Sequence, residues 1–368
     1  MAGQFFINLA ARDDNDYRGL FTRDEYEAVH EFYRRRTDLQ PTPLHSLERL
    51  AAELGLKDIL LKDEAVRFGM DAFKVAGVTY AMDRLFRERR LAKDSVVVCA
   101  TEGNHGKAVA RVGSRLGLRV KVYVPNTITA ERVATLEREG AEVITVNGTY
   151  DDAVKLAAED ASRADWTIVS DTAWPGYEEI PRLIMAGYTR LLDESELEWG
   201  PERPDVVLVQ AGVGGLAGAV VSWLCWKYGS RRPFTIICEP ASAASYLASA
   251  RAGTKISVAG PINTIMAGLR CDEMSSIAFP VISRAADAFI AVDDEHCIAA
   301  METLAQPRGE DACITAGPAG ACGLAALLQM CRDDRFEDLR EASGLGQQSR
   351  VFVINTEGAT DKLRSRLR

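Results

Sequence analysis

Residues 96–146 read VVVCATEGNHGKAVARVGSRLGLRVKVYVPNTITAERVATLEREGAEVITV. Three apolar runs, Val96 to Ala100, Val120 to Val124 and Glu142 to Val146, alternate with two helix-compatible segments, Ala108 to Leu116 and Thr129 to Arg138. A short, largely unbroken apolar run predicts a strand buried on both faces, and Pro125 closes the second one. Strands separated by helical segments make βαβ units, and βαβ units make a mostly parallel sheet.

The same alternation extends both ways. Upstream, Thr22-Arg-Asp-Glu25 has the form of a capping box, and Leu47, Leu50, Ala51 and Leu54 recur at helical spacing up to Gly55. Ile59 to Leu61 form an apolar run, followed by the helix-compatible Val75, Ala76, Val78, Ala81, Met82 and Leu85. Downstream, Tyr150 to Ser162 predicts a helix and Thr167 to Ser170 a short strand. Ile180, Leu183, Ile184, Gly187, Tyr188, Leu191 and Leu192 make one helical face. Val206 to Val209, Thr235 to Cys238, Phe289 to Val292 and Val351 to Ile354 read as buried strands, with helices from Leu216, Cys297 and Ala319. Glu194 to Pro204, charged and carrying Gly200, Pro201 and Pro204, reads as a linker. The fold class is therefore α/β.

A chain of 368 residues is long enough for two domains. Its net charge of −9 is spread along the chain and offers no basic stripe for nucleic acid. No apolar run approaches the roughly 18–20 residues that span a membrane, and the N-terminus has no basic leader with a cleavage site. These features predict a cytoplasmic protein. The eight cysteines form no C-x-x-C pair and read as reduced core residues. The four histidines are scattered, so no metal site is expected.

Four strand-end loops and one lysine carry the chemistry. Lys74 sits where an apolar run gives way to a helix; burial favours the neutral form of a lysine, and a neutral amine adds to an aldehyde. A lysine snorkelling at a helix start has the same local pattern. Cys99-Ala-Thr-Glu-Gly-Asn-His-Gly106 joins strand to helix, with Thr101 as a cap, a helix N-terminus suited to a carboxylate, and Glu102 as a base. Gln210-Ala-Gly-Val-Gly-Gly-Leu-Ala-Gly218 lets backbone approach a phosphate. Glu239 lies ~20 residues beyond that loop, the spacing of a ribose-binding acid, so a dinucleotide site stays open. Asp171 falls at a strand end within Ser170 to Pro181, near Trp174 and Tyr177. Thr356, in Ile354 to Asp361, could bond a heterocycle nitrogen or cap a closing helix.

Together and in this order these segments resemble the fold-type II (tryptophan-synthase β-like) family of pyridoxal-phosphate enzymes, and within it the diaminopropionate ammonia-lyase branch. The matching stretches are Lys62-Asp-Glu64 with Arg67-Phe-Gly69, Ala72-Phe-Lys74, Gly103-Asn-His-Gly106, Asp171-Thr-Ala-Trp174 with Gly176 to Pro181, Gln210 to Gly214, Ile265-Met-Ala-Gly-Leu269 and Thr356-Glu-Gly358. The resemblance implies two open, mostly parallel twisted sheets with helices on both faces, and the cofactor between two domains. It implies a large cofactor-binding domain of residues 1–92 and 193–368, and a small domain of 93–192 carrying the G-N-H loop. It implies pyridoxal 5'-phosphate bound covalently to Lys74, with Phe73 against its ring and Asn104 on its 3'-oxygen. Gly212, Val213, Gly214, Gly215 and Leu216 would hold the phosphate, and Thr356 the ring nitrogen. Thr101, Gly103, Asn104 and His105 would bind substrate, and Lys74, Glu102 and Asp171 would be catalytic.

The activity so implied is α,β-elimination on 2,3-diaminopropionate or a related β-substituted amino acid. It gives a 2-oxoacid and ammonia by way of an aminoacrylate, in a homodimer. Two departures from the family pattern stand out. Glu102 replaces an aspartate, and Thr315-Ala-Gly-Pro-Ala-Gly320 replaces a Glu-Ser-Gly. They leave open a larger or differently charged β-amino or β-hydroxy substrate. A serine/threonine-type dehydratase or β-replacement enzyme of the same fold is the alternative; a catalytically silent cofactor-binding protein and a nicotinamide oxidoreductase are the readings from other classes.

Overall fold

Strands form where the apolar runs predict them, and two three-residue edge strands, Phe5–Ile7 and Leu44–Ser46, form besides. In chain order they are β1 (Phe5–Ile7), β2 (Leu44–Ser46), β3 (Asp58–Asp63), β4 (Val96–Ala100), β5 (Arg119–Pro125), β6 (Ala141–Val146), β7 (Thr167–Ile168), β8 (Val206–Gln210), β9 (Phe234–Pro240), β10 (Ala288–Val292) and β11 (Arg350–Asn355). The helices are α1 (Arg23–Arg34), α2 (Glu48–Glu53), α3 (Lys74–Arg87), α4 (Asn104–Leu116), α5 (Ala130–Arg138), α6 (Tyr150–Ala164), α7 (Glu179–Tyr188), α8 (Arg190–Trp199), α9 (Gly215–Tyr228), α10 (Ser245–Ala252), α11 (Ala278–Ala285), α12 (Asp294–Ala305), α13 (Pro318–Arg332) and α14 (Glu337–Ser343). The structure is a computed structural model that describes residues 4–12, 16–101, 103–258, 260–271 and 273–359.

The chain divides into two compact units, residues 1–73 with 188–368, and residues 74–187. The larger unit holds a seven-stranded sheet in the order β1-β10-β9-β8-β11-β3-β2. Its five inner strands are parallel, and the edge strands β1 and β2 run antiparallel. Every residue of β8 and β10 is buried, as expected of parallel strands covered on both faces. Helices α9 and α13 are apolar nearly all round and correspondingly buried. The smaller unit holds an all-parallel sheet, β6-β5-β4-β7, packed on one side by Ala153, Ala157 and Ala161 of α6. Among the described residues, no helix is long and apolar enough to cross a membrane.

The sequence places domain boundaries at 92/93 and 192/193; the compact units join at 73/74 and 187/188, with α3 packed along α4 in the smaller one. Residues 180–192 are not one helix but α7 and the start of α8, broken at Thr189. Residues 194–199 are not linker: α8 continues through them. The capping box at Thr22 does form, with Thr22 Oγ1 accepting from Glu25 N (3.3 Å) and Glu25 Oε2 from Thr22 N (2.7 Å).

The misread segment is held by buried charge. Glu194 accepts from Arg67 Nη1 and Nη2 (both 2.7 Å), and Arg67 Nε donates to Glu64 Oε2 (2.7 Å). Lys62 Nζ lies 2.9 Å from Glu194 and donates to Thr42 O (2.6 Å). Arg67, Glu64 and Lys62 are fully buried, and this cluster anchors the segment leading from β3 to Lys74. Burial pushes the Glu194 carboxyl up, but hydrogen bonds and charge from Arg67, then Lys62 and Arg190, outweigh it and bring it to about 2. A depressed carboxyl contributes stability above its unfolded pKa of about 4.3, and that share is lost as pH falls towards the folded value. Arg67→Met leaves Glu64 and Glu194 buried without their guanidinium. It is expected to cost about 3–5 kcal/mol, read as a lower urea midpoint, with the deficit shrinking as pH drops below about 4.

Candidate active site

The smaller unit brings together three of the residues singled out above. Lys74 is the first residue of α3, and its Nζ makes an ion pair and hydrogen bond with Asp171 Oδ2. The same Asp171 oxygen lies 3.9 Å from His105 Nδ1. The Lys74 side chain keeps 22% exposure, so it is partly open to solvent as well as paired with a carboxylate. Burial pushes the Asp171 carboxyl up, but Lys74 and His105 beside it hold it well below the usual carboxylate range.

His105 has a fixed tautomer. Its Nε2 lies 2.8 Å from Val169 O, which can only accept, so Nε2 carries the proton. Nδ1 is then a buried lone pair with no hydrogen-bond partner. Burial lowers the imidazole's pKa, Asp171 opposes this, and Lys74 adds to it. The result is a neutral ring that presents an acceptor to the Lys74–Asp171 pair.

The chain holds Asp171 from both sides. Trp174-Pro-Gly-Tyr177 closes with Tyr177 N donating to Trp174 O (2.8 Å). Pro at the second position and Gly176 at φ +88° in the third are the signature of a type II turn. The turn stacks Trp174 on Tyr177 (4.2 Å, 18°) and sends the Tyr177 hydroxyl back to β7. That hydroxyl donates to Ile168 O (2.8 Å) and accepts from Ser170 N (2.9 Å). Sequence reading placed Tyr177 near Asp171 and missed this clasp.

Thr101, Gly103 and Asn104 lie at the start of α4, whose N-cap is Gly103 with no side-chain cap bond. Thr101 is therefore not the cap; its Oγ1 accepts from Gly103 N (3.3 Å). Glu102 lies outside the described residues.

The larger unit carries the remaining candidates. β8 ends at Gln210, and Gly212 to Leu216 lead into α9. Gly214 caps α9 at φ +97°, with no side-chain cap and no acidic residue in the first turn. A Cβ there would fall on the Tyr246 hydroxyl, which donates to Val213 O (3.0 Å). Thr356 follows β11 with its hydroxyl buried, 3.0 Å from Gln210 Nε2. Its carbonyl accepts from Phe73 N (3.1 Å), so the residue preceding Lys74 is tied to the end of β11. The Phe73 ring packs on Tyr188, centroids 4.8 Å apart. Gln210 and Tyr246 were not singled out from sequence, and no spacing marks either.

Residues 36–357 match the family model described as pyridoxal-phosphate dependent enzyme. The chain belongs to that family. It is 34% identical to the diaminopropionate ammonia-lyase of Escherichia coli K12, over 97% of this chain and 95% of the relative. A biosynthetic L-threonine dehydratase of Mycobacterium leprae is 29% identical over 78% of this chain and 64% of that one. The crystal structure of the Escherichia coli ammonia-lyase in complex with an aminoacrylate-PLP azomethine reaction intermediate superposes with a TM-score of 0.89, covering 98% of this chain and 95% of the other.

The side chains present fit pyridoxal phosphate. A helix N-terminus with no side-chain cap, reached through a glycine loop, suits a phosphate dianion. The Lys74 amine suits an aldehyde, and the buried Thr356 hydroxyl suits a ring nitrogen. A dinucleotide site does not fit. Glu239, the acid at ribose spacing, is 1% exposed and accepts from Tyr246 N and Leu247 N (both 2.8 Å). Burial, opposed by these backbone bonds, brings it to about 8. Asp293, Glu295 and His296 do bring possible metal-ligand atoms within 4.8 Å of one another. Sequence spacing had not marked them, and Asp293 already accepts from Gln4 Nε2 (3.1 Å).

Proposed function

We propose that this chain is a pyridoxal-phosphate dependent ammonia-lyase, eliminating the β-substituent of 2,3-diaminopropionate or a related β-substituted amino acid to give a 2-oxoacid and ammonia. The observation that carries the reading is the Asp171 carboxylate on the Lys74 amine, beside a neutral His105, in a chain so similar to a diaminopropionate ammonia-lyase along its whole length.

In this reading Lys74 holds the cofactor's aldehyde carbon. The glycine loop Gly212 to Leu216 and the first turn of α9 would hold its phosphate, Thr356 would meet the ring nitrogen, Asn104 its 3'-oxygen, and Phe73 the ring. Bound there, pyridoxal phosphate supplies an electron sink that acidifies the substrate Cα–H. Thr101, Gly103, Asn104 and His105, at the α4 N-terminus, bind the substrate and orient its carboxylate. Lys74 Nζ, once free, takes the Cα proton of an L-substrate, and Glu102 would be the base for a D-substrate. A β-amine is a poor leaving group unless protonated. Asp171, ionised beside Lys74, relays to that amine the proton that Lys74 Nζ takes from Cα, and the neutral His105 ring presents its Nδ1 lone pair to the same carboxylate oxygen. The larger unit is the cofactor-binding domain, the smaller one carries the substrate loop, and the enzyme works as a cytoplasmic homodimer.

The test is turnover of holoenzyme with 2,3-diaminopropionate of both configurations, following 2-oxoacid and ammonia, beside serine and threonine. Release from diaminopropionate about tenfold or more faster than from either hydroxy amino acid is expected. Faster release from serine or threonine would make this a dehydratase, the alternative supported by the threonine dehydratase likeness.

A further inference from the structure

Gln210 ends β8 immediately before the glycine loop and is 3% exposed. Its Nε2 faces three backbone carbonyls: Ala319 O (2.8 Å), Ile354 O (3.0 Å) and Gly320 O (3.2 Å). Carbonyl oxygens only accept, so nitrogen must occupy this end of the amide; the flipped rotamer would set oxygen against three oxygens. The amide oxygen, at the other end, is buried with no partner. Nε2 also lies 3.0 Å from Thr356 Oγ1. An amide nitrogen has no acceptor lone pair, so across this contact the Thr356 hydroxyl can only accept.

The direction of one bond constrains the next. With one lone pair of Thr356 Oγ1 taken by Gln210, the hydroxyl keeps a single lone pair and a proton that points elsewhere. Its protein acceptor is Ala319 O at 3.3 Å, long beside the usual ~2.7–2.8 Å of an O–H···O bond. Two Gln210 protons are shared among four acceptors, but each of those contacts has the same sense. The amide cannot turn round without losing all of them.

We propose that Gln210 is a positioning residue that sets the hydrogen-bond polarity of Thr356, committing its hydroxyl as a donor so that the heterocycle nitrogen it meets is held neutral. This rests on the proposed function, in which that nitrogen belongs to pyridoxal phosphate. A neutral ring draws less negative charge from Cα than a protonated one, which favours expulsion of a β-substituent over reprotonation.

The test uses holoenzyme loaded with pyridoxal phosphate labelled with 15N in the ring. Wild type is expected to give the signal of a neutral, hydrogen-bonded pyridine nitrogen that does not titrate across neutral pH; a pyridinium signal overturns the proposal. Gln210→Met removes the donor with little change of volume. It is expected to weaken cofactor binding about tenfold with Thr356 present, and not to weaken it further in a Thr356→Val background. Thr356→Ser, which keeps the hydroxyl, should retain wild-type affinity and signal. Equal weakening by Gln210→Met in both backgrounds would reduce Gln210 to packing and overturn the proposal, as would no weakening in either. If Gln210→Met fails to fold, Gln210→Leu carries the same comparison in the two backgrounds, and a pyridinium signal from wild type still overturns the proposal. A holoenzyme with the neutral signal that turns over no β-substituted amino acid would sustain this inference and overturn the substrate reading alone. Protein that takes up no pyridoxal phosphate would overturn both.

Discussion

Lys74→Ala is expected to abolish the visible absorption that wild-type protein shows with pyridoxal phosphate, and to lower turnover by at least about 10³-fold. The effect is this large because one amine is asked to do two things: hold the cofactor covalently and move the proton at Cα. Lys74 also pairs with Asp171, so alanine removes a charge as well as a nucleophile. Lys74→Arg separates these roles. A guanidinium keeps the positive charge beside Asp171 but stays protonated and forms no stable imine at neutral pH. Lys74→Arg should therefore recover most of any melting temperature lost in Lys74→Ala, without recovering absorption or turnover. Absorption that survives in Lys74→Ala would place the covalent link on another amine and sink the reading of this site.

The residues that carry this argument were legible in sequence to different degrees, for physical reasons. Buried parallel strands announce themselves as unbroken apolar runs, and β4, β5, β8 and β10 lie where those runs fall. Glycine loops and the Phe73-Lys74 junction stand out because backbone approach and strand-to-helix joins need particular residues at particular places. The edge strands β1 and β2 are three residues each, too short for any periodicity to register. Glu194 reads as linker because an acidic run beside glycine and proline normally faces water; only the folded chain brings Arg67 and Lys62 against it. Gln210, Tyr177 and Tyr246 act through hydrogen bonds to backbone atoms distant in the chain. Such bonds leave no spacing behind. Their local patterns are those of an ordinary strand end, a turn and a helix start.

Asp171→Asn gives the second large expected effect, a fall in kcat of about 10²–10³-fold with KM changed less than about threefold. Asparagine keeps the shape and can still bond Lys74, but it cannot take a proton from Lys74 Nζ and pass it to a departing amine. The loss should be greatest with diaminopropionate and smaller with β-chloroalanine, whose leaving group departs without one. Equal losses on the two substrates would instead make Asp171 a holder of Lys74 and no acid. Two pH signatures go with the change. The Asp171 carboxyl is held below its ordinary value of about 3.9, so its stabilising share is complete above that pH and is lost as pH falls through the folded value. The gap in urea midpoint between wild type and Asp171→Asn should thus be widest at neutral pH and close under acid. In the folded protein Asp171 raises the His105 pKa while burial and Lys74 lower it. Removing the carboxylate leaves only the lowering influences, so the His105 ring should titrate at lower pH in Asp171→Asn, a shift that the ring-proton NMR signal reads directly. A ring that titrates at the same or higher pH in the variant would mean that His105 does not meet Asp171 as the 3.9 Å approach implies, and His105 would then have no part in tuning the Asp171 relay.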